Sequence, residues 1–326
     1  LYPKPKDNQM KTRILIPVVI LAATLQCCRK ENAPSPSINP AAGPFHSLAD
    51  FYSQNAPVKQ IYTIDAQTGG RFTSPQGTTV DIPSNAFLDK NAQPVRGRVT
   101  IQFLDIYKKS DMLLSGIATN SQMGPPLKSG GEFFIKALLG TAPLQMASGK
   151  KIQVTQPSIL TGPLDQAMKA FVVPDTTGMG ASAGWNPSTS DSVLVHVTDY
   201  VFNLYKFGMP VDSGSWCNSD NSVFFSQYNQ TQLNIIPNDD PNSYQPDVFL
   251  VFKNVAAMVH VYRKVLGYPY FFAPIGLSCT VVAVGEKDGV LYSSFTPITI
   301  TANQSLHFTL SQTTSSVFKT QLSALN

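Results

Sequence analysis

From Gln60 to Leu310 the apolar residues either alternate with polar ones or fall in short runs bounded by Gly, Pro, Asn and Asp. Ile61-Tyr62-Thr63-Ile64, Gly77 to Ile82, Val99-Thr100-Ile101-Gln102-Phe103 and Phe133 to Ala137 have this form, and so do Phe171 to Val173 and Val193 to Val197. Side chains two residues apart share one face of a strand, so the spacing predicts half-buried β-strands. The last third repeats it in Asp247 to Phe252, Ser278 to Gly285, Gly289 to Tyr292, Ile298 to Thr301 and Ser305 to Leu310. Between two of these runs, Glu286-Lys287-Asp288-Gly289 predicts a hairpin turn, because Asp-Gly accepts the positive φ of a tight connection. Helical spacing occurs only at the margins: Phe45, Leu48, Phe51 and Tyr52 before the first strand, and Val317, Phe318, Leu322 and Leu325 at the end. The first of these is expected to pack on the first domain. The fold class expected is mainly β, with two β-sandwich domains over residues 60–205 and 206–326, the second Ig-like or transthyretin-like.

The first 59 residues have a different pattern. Ile14 to Leu25 is an apolar run of 12 residues containing Pro17, preceded by Lys11 and Arg13. A bilayer span needs roughly 20 apolar residues, so the run reads as the core of a secretory signal over residues 10–27, starting at Met10, with residues 1–9 upstream of it. Leu25-Gln26-Cys27-Cys28 then places small-residue positions before Cys28 in the manner of a bacterial lipobox, which makes Cys28 the expected lipidation site and Cys27 the second choice. Gln26 stands where a small residue is usual, and an ordinary secretory signal with two incidental cysteines is the alternative. Residues 28–59 continue as tether and lead-in, rich in Pro, Ser, Asn and Ala up to Pro44, a composition that buries too little apolar surface to offset ordering entropy.

Charge changes meaning once the leader is set apart. The chain of 326 residues carries 24 Lys and Arg against 20 Asp and Glu, but four of the basic residues and one acidic residue lie before Cys28, leaving 20 against 19. A near-neutral remainder lacks the clustered positive charge that displaces counterions from phosphates, so nucleic acid is set aside as a partner. Only 13% of residues are charged, while loops use hydroxyl and amide groups, as extracytoplasmic β-proteins do.

Three segments in the first domain carry a family resemblance: Thr68-Gly69-Gly70-Arg71-Phe72, Gly77-Thr78-Thr79-Val80-Asp81-Ile82-Pro83-Ser84-Asn85-Ala86-Phe87, and Val95-Arg96-Gly97-Arg98-Val99-Thr100-Ile101. Together they resemble the ZU5 domain and its relatives in lipoproteins of the Bacteroidota type, over roughly residues 60–158. The resemblance implies a β-domain displayed on the envelope and is nearly silent on activity. Gly69 and Gly70 can take positive φ at a turn, and Pro83 ends a strand where no N–H is needed. Ser110 to Gly116 and Leu127 to Phe133 continue the likeness. Val211 to Asp220, with Trp216-Cys217-Asn218, is similar to a boundary segment of the same lipoproteins, which puts a division there. Cys217 and Cys279 are the cysteines beyond the leader; they form either a disulfide or two buried thiols, and sequence separation decides neither.

Candidate chemistry is sparse. Gly180-Ala181-Ser182-Ala183-Gly184 has the letters of a nucleophile elbow, but no buried strand precedes Ser182 and no helix pattern follows, so a loop residue is the reading and a serine hydrolase the alternative. His307-Phe308-Thr309 is similar to the His-Phe-Ser cleavage site of some animal ZU5-containing proteins, yet belongs to an alternating strand far from the ZU5-like part. His46, His196, His260 and His307 stand apart, with no metal-ligand spacing, and Asn238 to Asn242 lacks the order of a calcium loop. Tyr262, Tyr268, Tyr270, Phe271 and Phe272 cluster around Gly267 and Pro269 and could dock a protein or stack on sugar rings, although β-cores also need aromatics. The sequence therefore points to a non-enzymatic envelope lipoprotein, held to the outer membrane through its lipid and facing periplasm or exterior, with a protein or glycan ligand and no metal or cofactor.

Overall fold

The computed structural model describes residues 46–122, 124–174, 184–207, 214–239, 244–264 and 267–326. They fold, as predicted, mainly as β-strands, gathered into several separate sheets. The expected signal, Cys27, Cys28 and the tether up to residue 45 lie outside the described residues.

The first sandwich is built, in chain order, from β1 (Gln60–Asp65), β2 (Gly70–Thr73), β3 (Thr79–Ile82), β4 (Phe87–Leu88), β5 (Arg98–Ile106), β6 (Lys128–Leu139), β7 (Ala142–Pro143), β8 (Gln145–Met146), β9 (Ile152–Pro157), β10 (Lys169–Pro174), β11 (Asn186–Pro187), β12 (Ser192–Val195), β13 (Asp199–Leu204) and β14 (Ser215–Asn221). One sheet runs β1-β5-β6-β14-β10-β11, with β7 beside β6, and the sheet facing it runs β12-β13-β9-β3-β2. Alternation fills the space between them: Val99, Ile101 and Phe103 of β5 and Phe133 and Ile135 of β6 meet Ile152, Val154, Phe202 and Leu204 of the opposite sheet. The turn before β2 uses its glycine as expected. Gly69 has φ +73°, and a Cβ there would lie 2.3 Å from the Ile82 carbonyl oxygen, so no other residue fits; Gly70 does not take positive φ but meets the Ile64 side chain. Pro83 follows the last residue of β3.

The segment read as a domain boundary is a central strand. β14 lies between β6 and β10, and every one of its residues is buried. The first sandwich therefore extends to Asn221, past the expected limit at 205. Ser-Trp-Cys-Asn-Ser-Asp-Asn reads as a polar linker, but its amides and the Ser219 hydroxyl bond buried or part-buried side chains, Asn218 with Ser129, Ser219 with Gln156 and Asn221 with Asp165.

The second sandwich comprises β15 (Gln230–Pro237), β16 (Asp247–Phe252), β17 (Met258–Val261), β18 (Tyr268–Pro274), β19 (Ser278–Lys287), β20 (Val290–Thr299), β21 (Ser305–Phe308) and β22 (Ser311–Thr313). Its sheets are β17-β16-β19-β20-β22 and β18-β15-β21, with β15 and β21 parallel. Val248, Leu250, Val281 and Ala283 face Leu233 and Ile235 across the core. The β19–β20 hairpin turns at Asp288 (φ 53°) and Gly289 (φ 77°), as its sequence predicts.

Both large sheets are apolar on their second face too. Leu104, Ile106, Phe134, Phe171 and Trp216 of the first sandwich share a third core with Phe249, Val251, Val282 and Val284 of the second. Three helices fill this seam: α1 (Leu48–Asn55), α2 (Lys109–Ser115) and α3 (Ser315–Ser323). Ser47 caps α1 by accepting from the Asp50 amide, Thr314 caps α3 by accepting from Val317, and Gly116, at φ 69°, ends α2. α1 thus packs into the seam between sandwiches rather than on the first alone. The sandwiches are also stitched by hydrogen bonds. Thr119 exchanges bonds with Met258, the Asn120 side chain bonds the backbone N–H and C=O of His260, and the buried Lys109 ammonium donates to the Phe252 carbonyl at 2.7 Å.

Candidate functional site

The aromatic cluster divides between core and surface. Gly267, at φ +136°, brings the chain against β15 so closely that a Cβ would lie 2.9 Å from the Ile235 carbonyl oxygen. Tyr268 then turns inward, is 2% exposed, and donates its hydroxyl to the Pro246 carbonyl at 2.6 Å. Burial pushes its phenol up to about 12 and drives the Tyr270 phenol up as well. Phe271 and Phe272 do the opposite. Thr231 pairs Ala273 and Leu233 pairs Tyr270, so the two phenylalanines stand opposite the single residue Gln232 in a β-bulge. The bulge breaks the in-and-out alternation, and both rings are turned toward solvent, 56% and 41% exposed.

β18 is an edge strand. Among the described residues its ladder is with β15 alone. The strand that follows the fold around to it, β17, has its outer edge covered by Thr119 and Asn120. Edge strands present unpaired N–H and C=O groups, and an extended peptide can add to them. Near the start of the connection from β17 to β18, Tyr262 is partly exposed with its ring tilted on His260 at 4.6 Å. His260 stacks on Phe249, and its Nε2 lies 3.3 Å from Asp247 Oδ1, while Tyr52 of α1 donates to Asp247 Oδ2 at 3.0 Å. The Tyr52–Asp247–His260 chain ties the first helix to the second sandwich.

Two adjoining clefts open at the seam. One, of about 620 Å³, is lined by Lys109, Lys253, Asn254, Ser278, Thr299 and Asn326 among others; a second, of about 260 Å³, is reached past Tyr107, Lys108 and Leu160. Burial lowers the Lys109 ammonium below its usual range, and its donation to Phe252 makes it a fastener of the seam. A second exposed apolar spot, Ile159 and Val197, sits where Ser158 donates to the Thr198 carbonyl.

The residues singled out in the sequence do not converge. Cys28 and Ser182 lie outside the described residues. Cys217 and Cys279 are free thiols, so the thiol alternative stands and the disulfide is corrected. The physical reason is their placement: Cys217 points into the core of the first sandwich and Cys279 into that of the second. Burial pushes the Cys279 thiol up to about 12 and the Cys217 thiol well above its usual range. His307 and Phe308 belong to β21, with Phe308 buried. Asp239 accepts from the Leu310 amide, and residues 240–242 of that turn are outside the described ones.

What the sequence did not disclose is a set of buried polar groups on β5, β6, β9 and β14. Asp105 accepts from Ser74 at 2.6 Å and from Thr78, Gln156 donates to the Gly131 carbonyl at 2.7 Å, and Ser219 donates to Gln156 at 2.7 Å. Glu132 and Asp220 lie nearby, both completely buried. The available signal was the Gly130-Gly131 pair before Glu132, which marks a close backbone approach. A Cβ at Gly131 would sit 2.5 Å from the Tyr107 ring. Among the described residues no helix is long and apolar enough to cross a membrane, and no group of three or more His, Cys, Asp or Glu is arranged to hold a metal.

No protein-family model matches the chain, and no curated protein matches it.

Proposed function

We propose that this protein is a non-enzymatic envelope lipoprotein, anchored through Cys28, whose fused β-sandwiches capture an extended segment of a partner protein along β18. The observation that carries this reading is the bulge that turns Phe271 and Phe272 outward on a strand with one ladder partner. A peptide adding to that edge would gain main-chain hydrogen bonds, and the two rings would supply apolar anchors for its alternate side chains. A glycan could use the rings but not the strand edge, so a protein partner is preferred. The ZU5 likeness of the first sandwich and the neutral surface behind a Pro-rich tether fit the same address.

Two measurements test the reading. Metabolic labelling with a palmitate analogue should mark the wild type and not Cys28→Ala; free secretion of the unmodified protein would defeat the anchoring part. Pull-down from intact envelopes should recover a partner with the wild type and lose at least tenfold with the Phe271→Ser/Phe272→Ser pair, since each buried aromatic anchor contributes on the order of 1–2 kcal/mol. Equal recovery by both would move the binding surface elsewhere.

A further inference from the structure

The apolar seam between the sandwiches turns polar and basic at one end, and the two clefts open there. Phe249 and Val251 of β16 and Val282 and Val284 of β19 face the seam core. Side chains two residues apart share a face, and along that face β16 runs out to Lys253 while β19 begins with Ser278 and Thr280. Those three residues, with Thr299 opposite Ser278 on β20, line the larger cleft. The Lys253 amide donates to the Ser278 carbonyl at 2.9 Å, which ties this wall together. A further wall is Lys109 of α2 with the residues that follow α3. There the Asn326 side chain accepts from the Ser110 amide at 2.9 Å and donates to the Ser110 hydroxyl at 3.0 Å.

Lys109 lies where the two clefts meet, since it lines both. It is 6% exposed, and its ammonium is a cation held by a neutral group, the Phe252 carbonyl. An ammonium carries three N–H donors, so this bond leaves two, and among the described residues no carboxylate stands within ion-pair distance of it. Burial lowers it below its usual range, with no acid to raise it again. Lys108 lines the smaller cleft and Lys253 the larger, and both are exposed. Among the described residues no Asp or Glu lines either cleft; Asp111, whose carboxyl feels Lys108, belongs to neither lining. A buried charge without a counter-charge is costly, and an anion in the cleft removes that cost.

We infer that the joined clefts bind a small hydroxylated anion, a sugar acid or a sugar phosphate, with its charged group on Lys109, flanked by Lys108 and Lys253, and its hydroxyls against Ser278, Thr280 and Thr299. A cavity of about 620 Å³ is of the size that encloses a small molecule. Its serine and threonine hydroxyls both donate and accept, which matches the hydroxyls of a polyol. A lysine ammonium acts as a point charge and takes phosphate or carboxylate alike. The site is separate from the β18 edge, since no residue of that strand lines either cleft.

Calorimetric titration of the full chain at low ionic strength tests this with three probes: glucose 6-phosphate, glucuronate and glucose. One or both acids should bind with a Kd on the order of 0.1–1 mM, and glucose at least about tenfold more weakly. The acid that binds more tightly identifies the charged group. Lys109→Met keeps an unbranched side chain without its charge and should weaken that acid at least about tenfold. Lys108→Gln/Lys253→Gln alters exposed residues and should weaken it about threefold to tenfold, with a smaller loss of affinity as salt is raised. This pair decides the matter should Lys109→Met fail to fold. Glucose bound as tightly as the acids, no acid bound at about 20 mM, or an affinity that neither variant changes would overturn the inference.

Discussion

Phe51, in the first helix, packs edge-on against Phe318, in the last, with ring centroids 5.6 Å apart and planes at 75°. Phe318 also meets Phe295 of β20 at 5.5 Å. These contacts lie in the third core, so residues almost 270 positions apart in sequence close the seam between sandwiches together. Aromatic pairs of this geometry contribute about 0.5–1.5 kcal/mol beyond the area they bury.

A core shared by both sandwiches predicts that they unfold as one body. Phe318→Ala removes a fully buried ring and should cost about 3–5 kcal/mol. Near-UV signals from Trp185 and Trp216, both in the seam core, should be lost in the same denaturant transition as far-UV signal. Two separate transitions, with only one displaced by the substitution, would show that the sandwiches unfold independently.

The buried acids set a pH dependence with a definite sign. Both carboxyls are raised in the fold, while their unfolded values lie near 4. The folded chain therefore holds protons that the unfolded chain releases, and the stability this contributes is present below about pH 4 and lost as pH rises toward the folded values. Stability measured by urea midpoint should therefore fall across that range, and Glu132→Gln/Asp220→Asn should flatten the fall. A wild type whose midpoint rises through the same range would contradict the sign.

A fluorophosphonate probe tests the non-enzymatic reading. The expected outcome is no specific labelling, because the sequence that follows Ser182 carries no helix pattern of the kind a nucleophile elbow needs. Labelling that disappears on Ser182→Ala would establish the hydrolase instead.

Much of the architecture could be read before the structure. Ile61 to Ile64, Val99 to Phe103, Asp247 to Phe252 and the Asp288-Gly289 hairpin all follow from alternation and turn chemistry, since each needs only local information. The seam could not be read so easily. Runs such as Phe103-Leu104 and Val281-Val282 send one residue to a sandwich core and the next to the shared core, and a run of that kind says a strand is covered on both faces without saying by what. β14 was hidden for the opposite reason: it is polar in composition yet buried along its whole length. The proposed binding edge was half legible: the aromatic cluster stood out, but which rings face water depends on a bulge set by pairing with β15.

The most direct test of the binding reading is photocrosslinking in intact cells, with a crosslinking amino acid placed at Phe271, at Phe272 and, as a control, at exposed Gln93 of the first sandwich. The account predicts one discrete adduct band from positions 271 and 272 and none from 93. Adducts that are absent at both phenylalanines, or equally strong at Gln93, would contradict it.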